Sequence, residues 1–335
     1  MRPTAFRGGP RAPVGILLPL HQLAGDTLWR SAGTTRMRRR IRVSRRWHCH
    51  VQCCETAAPF HGRIVAVRWR QVVPVMLILG GLTMFTTPQR HLIYFPSTAQ
   101  ADELSQEAAR IGLKAWHDGT GSAIGWKSTG ARRARNRMLV FHGNAGYALH
   151  RDYFVAGFQA LGDEWEVFLF EYPGYGAREG APSADTFKAT AVQALELLLA
   201  TDSRPIFVIG ESLGSGIASY LAATFPEQVA GLLLVTPFSS LADVAAHHYP
   251  FLPVRTLLSE RYDSVEALAH YRGPVAFLIA GRDEVVTTTL GRQLYDSYTG
   301  PKWLHVEAHA GHNSLPYNPG AAWWGEVSKF LTSRH

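Results

Sequence analysis

The sequence predicts an α/β domain built on a mostly parallel central sheet with helices on both faces. Three observations predict it. From residue 91 onward, short apolar runs alternate with helical stretches, the pattern of strand–helix–strand units. Those runs are continuous rather than alternating, as in strands buried on both faces. The glycine-framed serine of Gly210-Glu211-Ser212-Leu213-Gly214 falls between one such run and a helical stretch.

The elements follow in order. Arg137–Phe141 reads as a strand and Tyr147–Ala160 as an amphipathic helix. Glu166–Phe170 is the next strand, followed by a helix over Ser183–Ala200 with Ser183 as its N-cap. Pro205–Ile209, Val229–Val235, Pro274–Ala280 and Lys302–Val306 read as further strands. Leu213–Thr224, Thr287–Tyr298 and Trp323–Leu331 read as helices. No internal repeat interrupts this alternation. The arginines at 132, 133, 135 and 137 lie between strand candidates and read as a solvated hairpin.

The 335 residues suit one large domain plus an extension. The net charge of +8 is unevenly spread. Residues 1–90 carry 15 Arg and no Lys against Asp26 and Glu55, a net +13. Residues 91–335 carry 19 basic and 24 acidic side chains, a net −5. The basicity therefore belongs to the extension, and nothing in the globular part calls for a nucleic-acid partner. The three cysteines, Cys49, Cys53 and Cys54, also lie in the extension. With His48 and His50 they lack the paired spacing of a structural zinc site, so no metal is expected.

Residues 1–63 are rich in Arg, Pro and Gly without a sustained period. They read as a disordered basic extension, or as sequence upstream of the true start. Within residues 64–90, the stretch from Gln71 to Gln89 holds no charge, and its apolar run covers 16 residues from Val72 to Thr87. About 20 residues span a bilayer comfortably, so the run is short. No small-x-small cleavage site follows it, and it reads as an uncleaved membrane anchor, with the apolar region of a signal peptide or a buried strand or helix of the domain as the alternatives. Arg68 and Arg70 precede it, which leaves the N-terminus in the cytoplasm and the domain of residues 91–335 outside.

The candidate chemistry centres on Ser212. A G-x-S-x-G turn between a buried strand and a helix places its serine on a strained bend, with glycines letting strand and helix close around it. Serine needs a base, and the base an orienting acid. Asp283 follows the strand ending at Ala280, at a carboxyl end where ligands collect in open α/β sheets. His312 follows the last strand, in Gly311-His312-Asn313. The rival acid is Glu284, and the rival bases are His305 and His309. For the oxyanion donors, the Leu213 amide follows the nucleophile, and the Asn144 amide, with Ala145 in reserve, follows the strand ending at Phe141.

His142-Gly143-Asn144-Ala145-Gly146, Glu171-Tyr172-Pro173-Gly174-Tyr175-Gly176, Gly210–Gly216, Thr236-Pro237-Phe238-Ser239-Ser240, Arg261-Tyr262-Asp263-Ser264, Asp283 and Gly311-His312 occur in family order. As a set they resemble the α/β-hydrolase-domain proteins, whose members include palmitoyl-protein thioesterases and lysophospholipid lipases. Gln89–Pro96 is similar to a segment that directly follows a membrane anchor in that family. The resemblance covers roughly residues 72–335, with Glu171 standing where relatives often have Asp. It implies an α/β-hydrolase fold with a small cap, and hydrolysis of an ester or thioester through an acyl-enzyme. It calls for no metal or organic cofactor and leaves the acyl group open. The cap is expected over Ser240–Ala267, with Tyr249-Pro250-Phe251-Leu252-Pro253 as apolar pocket lining. An acyltransferase on the same acyl-enzyme, a catalytically silent membrane-anchored scaffold and, more weakly, a peptidase are the alternatives.

Overall fold

The computed structural model describes residues 89–130 and 133–333. The expected extension and the apolar run at 72–87 lie outside these residues. Among the described residues no helix is long and apolar enough to cross a membrane.

Eight strands form the main sheet in the order β10-β9-β8-β7-β4-β6-β3-β2. They are β2 (Leu113–His117), β3 (Ala123–Ser128), β4 (Asn136–Phe141), β6 (Trp165–Phe170), β7 (Ile206–Glu211), β8 (Val229–Val235), β9 (Val275–Ala280) and β10 (Lys302–Glu307). The six strands from β10 to β6 run parallel, and β3 and β2 add an antiparallel edge. That edge, and the helix α1 (Ala101–Arg110) before it, precede the first strand expected from the apolar runs. Its mixed burial, with Lys114 and His117 exposed, breaks the continuous pattern of the inner strands.

The inner strands are apolar throughout because both faces are covered. Leu139 and Phe141 face one core, and Met138 and Val140 the other. Leu232 and Leu234 alternate with Leu233 and Val235 in the same way. The covering helices are α2 (Asp152–Gln159), α3 (Ala184–Thr201), α4 (Leu213–Thr224), α8 (Thr288–Ser297) and α9 (Trp323–Thr332). The helix expected from Tyr147 enters through a 3-10 turn over Ala148–Arg151 and becomes α-helical at Asp152. Ser183 caps α3 by accepting a hydrogen bond from the Thr186 amide, as its sequence position requires.

The chain leaves β4 for β6 on one side and later places β7 on the other. Adjacent strand ends whose connections diverge open a crevice at their carboxyl ends. A two-stranded parallel pair joins β1 (Phe95–Pro96), in the N-terminal segment, to β5 (Ala145–Gly146), in the loop after β4. Between β8 and β9 the expected cap consists of three short helices, α5 (Leu241–His248), α6 (Val254–Leu257) and α7 (Ser264–Leu268).

Arg137 is not in a solvated hairpin. It is 1% exposed within β4. Its guanidinium donates to the carbonyls of Leu198, Asp202 and Arg204 and lies 3.5 Å from the Asp202 carboxylate. It thus satisfies one carbonyl of the last turn of α3, which has no intrahelical partner, and two carbonyls just beyond the helix. Burial holds its pKa below the usual arginine value despite Asp202. Replacing it strands those buried acceptors, so Arg137→Ala should lower unfolding free energy by about 3 kcal/mol in equilibrium denaturation.

Candidate functional site

The turn from β7 into α4 carries the central feature. Ser212 has φ 52° and ψ −117°, left-handed backbone that a residue with a side chain rarely adopts. The flanking glycines are steric necessities. A β-carbon on Gly210 would lie 2.5 Å from the Ser215 Cα, and one on Gly214 would run into the Phe141 carbonyl and lie 2.8 Å from that of His142. The bend is pinned by the Ser212 amide, which donates to the Val235 carbonyl at 2.8 Å, and by the Ser212 carbonyl, which accepts from the Ser215 hydroxyl at 2.6 Å.

The structure brings Ser212, His312 and Asp283 into one line. His312 Nε2 lies 3.0 Å from Ser212 Oγ, and His312 Nδ1 lies 2.8 Å from Asp283 Oδ2. Asp283 Oδ1 accepts from the Val285 and Val286 amides at 2.9 and 2.8 Å, so both carboxylate oxygens are engaged. The rivals fall elsewhere. Glu284 is exposed and points toward Gly311. His305 lies in β10 beside Glu307, and His309 is exposed beside Arg282. His248 Nε2 lies 2.8 Å from the Val285 carbonyl, which ties α5 to the loop after β9.

Leu213 and Asn144 line one small cleft with Ser212, about 40 Å³, together with Ile93, Phe238, Leu241, Val244, Val285 and Val286. The Leu213 amide opens a helix, where backbone N–H groups lack intrahelical acceptors. Asn144 is held on three sides. Its side-chain amide donates to the Ile93 carbonyl at 2.9 Å, and its own carbonyl accepts from the Phe95 amide and the Tyr175 hydroxyl at 2.9 and 2.7 Å. The expected lining by Tyr249–Pro253 does not occur. Phe251 is 98% exposed, and the cap contributes Leu241 and Val244 from α5 instead. In the Tyr249–Pro253 stretch residues 250–253 are exposed, and none of the five borders the cleft.

A half-buried ionic cluster behind the serine is not marked in the sequence. Glu211, the variable residue before Ser212, accepts from Arg151 Nε and the Tyr153 hydroxyl, each at 2.7 Å, and from the Gly143 amide at 3.3 Å. Arg151 also donates to the Ala145 carbonyl at 3.0 Å. The pair therefore fastens the loop carrying Asn144 to the serine turn. Burial pushes the Glu211 carboxyl up, but Arg151 and Tyr153 outweigh it and hold the group below the ordinary carboxylate range. Nearby, the buried His142 has Nδ1 2.8 Å from its neighbour Gly143's carbonyl and Nε2 3.3 Å from Glu171. Glu171 also accepts from the Ala148 amide, which the longer Glu side chain reaches. Among the described residues no group of three or more His, Cys, Asp or Glu is arranged to hold a metal.

Glu211→Gln would leave the half-buried Arg151 charge without its counterion and should cost about 2 kcal/mol in equilibrium denaturation. Because the folded-state pKa of Glu211 is depressed, its contribution is full at neutral pH and fades as pH falls through the carboxylate range. The variant should accordingly lose less stability than the parent on acidification.

Comparison with known proteins bears on this arrangement. Residues 136–265 match the α/β hydrolase fold family. Rv2307c of Mycobacterium tuberculosis, an uncharacterized protein, is 36% identical over 271 residues, covering 78% of this chain and 94% of the relative. The lysophosphatidylserine lipase ABHD12 of Danio rerio is 28% identical over 235 residues, covering 64% of this chain and 59% of the lipase. The Pyrococcus furiosus esterase Pf2001 matches in fold with a TM-score of 0.53 at 13% identity, covering 71% of this chain and 97% of the esterase. With its mostly parallel sheet and surrounding helices, this chain belongs to the α/β-hydrolase family.

Proposed function

We propose that this protein is a serine hydrolase that cleaves carboxylic ester or thioester bonds through an acyl-enzyme. The observation that carries the reading is the continuous line from Asp283 through His312 to Ser212 Oγ at hydrogen-bond distances. Residues 91–335 are then the catalytic domain.

The chemistry follows from those distances. With Nδ1–H donating to Asp283, the His312 Nε2 lone pair faces Ser212 Oγ and takes its proton as the oxygen attacks the acyl carbon. Asp283, fixed by two backbone amides, orients the ring and stabilises the imidazolium. The developing oxyanion accepts from the Leu213 and Asn144 amides, which border the same cleft. His312 then protonates the leaving alcohol or thiol. Water, activated by the same base, attacks the acyl-serine and regenerates the enzyme. The apolar walls formed by Ile93, Phe238, Leu241 and Val286 suit the acyl chain. One relative is named as a lysophosphatidylserine lipase, which supports a lipid ester as substrate. The apolar run over 72–87, preceded by Arg68 and Arg70, anchors the chain in a membrane with the catalytic domain on the extracytoplasmic side.

A fluorophosphonate probe on the full chain tests this reading. Labelling should map to Ser212 and vanish in Ser212→Ala. Absence of labelling in folded parent protein would overturn the proposal. Turnover of p-nitrophenyl esters should fall about 10⁴-fold in Asp283→Asn, because the amide no longer holds the working tautomer.

A further inference from the structure

Among the described residues six large apolar side chains are exposed: Leu92, Ile111, Leu161, Phe251, Leu252 and Leu257. Four of them belong to one structural unit. Phe251 and Leu252 form the turn between α5 and α6, Leu257 ends α6, and Leu92 lies in the N-terminal segment. That segment is bound to the cap rim. Gln89 donates to the Leu257 carbonyl at 2.9 Å and accepts from the Ser259 amide at 3.0 Å. The next residue, Arg90, and Tyr94 one turn further both donate to the buried Glu260, at 2.8 and 2.6 Å. Glu260 also accepts from the Ala184 amide at the start of α3, so the rim is tied to the body of the domain.

The apolar turn is held out rather than loose. Pro250 and Pro253 bracket Phe251 and Leu252, the Leu252 amide donates to the Tyr249 carbonyl at 3.1 Å, and the Val254 amide donates to the Leu252 carbonyl at 2.7 Å. Arg255 pairs with Asp243 at 2.6 Å and fixes α6 against α5. A phenylalanine kept 98% exposed on a pinned turn, with three leucines beside it on the same unit, is the kind of surface that marks a partner.

The chain itself indicates which partner. The uncharged run over 72–87 ends two residues before the described segment begins, and Gln89 is already part of the rim. A run of that composition favours a lipid environment, and its end is covalently fixed at this rim. The rim also leads inward. Ile93, the neighbour of Leu92, and Leu241 and Val244, on the helix that precedes Phe251, line the cleft at Ser212. The charges here are mixed, with exposed Arg90, Arg255 and Arg261 set against exposed Asp263 and Glu266, so an anionic surface is not required.

We propose that Leu92, Phe251, Leu252 and Leu257 form a docking rim that seats in a lipid bilayer surface and delivers membrane-borne acyl substrates to Ser212. The docking stands on the surface itself. The delivery rests on the hydrolase reading above.

The test uses the full chain with Cys49, Cys53 and Cys54 changed to Ser and F251C labelled with an environment-sensitive fluorophore. It is reconstituted in phosphatidylcholine vesicles that carry spin-labelled acyl chains. L161C, also exposed in the parent, serves as the comparison site. The 251 probe should shift to the blue and be quenched by the spin-labelled lipid, and the 161 probe should not. A 251 probe that stays in water overturns the docking. So does one shielded without lipid quenching, which would place the 72–87 run or a second copy of the chain on the rim. The double variant Phe251→Ser, Leu252→Ser should hydrolyse an ester presented in the vesicles at least about tenfold more slowly, with a soluble short-chain ester unaffected. Equal loss on both esters overturns the delivery role. Lipid quenching at 251 in a parent protein that neither hydrolyses esters nor labels at Ser212 would sustain the docking and refute the hydrolase reading.

Discussion

Everything at the site depends on one backbone constraint, the left-handed conformation of Ser212. Such a conformation costs of order 1 kcal/mol or more for a residue with a β-carbon and survives only where its surroundings impose it. Here β7, α4 and the end of β4 converge so closely that Gly210 and Gly214 have no room for side chains. The Val235 carbonyl and the Ser215 hydroxyl then hold the bend. The result lifts the Ser212 side chain out of the strand and toward the crevice where His312 waits. The next strand repeats the device in a milder form. Thr236, directly after β8, also has a positive φ, and two residues on Phe238 turns into the cleft wall.

Two further layers hold the strained turn in register with its neighbours. Behind it, the Glu211–Arg151 pair and the Gly143 amide bind the serine turn to the loop after β4. In front of it, residues 89–96 act as a strap. Phe95 pairs with that same loop through the Asn144 carbonyl, whereas Gln89, Arg90 and Tyr94 reach the cap rim at Leu257, Ser259 and Glu260. One short segment therefore links the candidate oxyanion loop, the cap and the chain that leads to the apolar run.

How much of this was legible in the sequence differs from residue to residue. The inner strands were readable because burial on both faces leaves no polar alternation, as in Met138–Phe141 and Leu232–Val235. The antiparallel edge was not, since β2 mixes Leu113 and Trp116 with Lys114 and His117. The serine turn was readable because its glycines answer a local steric demand. Arg137 misled because an arginine beside three others resembles a solvated run, while its actual partners lie more than 60 residues away at the end of α3. Tyr249–Pro253 misled because apolar composition says nothing about which way a turn faces.

The sequence by itself determined the local terms: the strand and helix periods, the Ser183 cap, and the Gly-x-Ser-x-Gly turn that only a residue flanked by glycines can make. The tertiary structure decided which distant groups meet. Ser212 and His312 are 100 residues apart, and His312 and Asp283 are 29 apart. Their approach to 3.0 and 2.8 Å is set by β7, β8, β9 and β10 lying side by side. It also decided that Glu211 has a half-buried cation beside it and that Phe251 has no cover. Period and steric exclusion act over a few residues and leave a mark in composition. Side-chain partnership and exposure arise only after strand order and loop direction are fixed, and no short stretch of sequence encodes those.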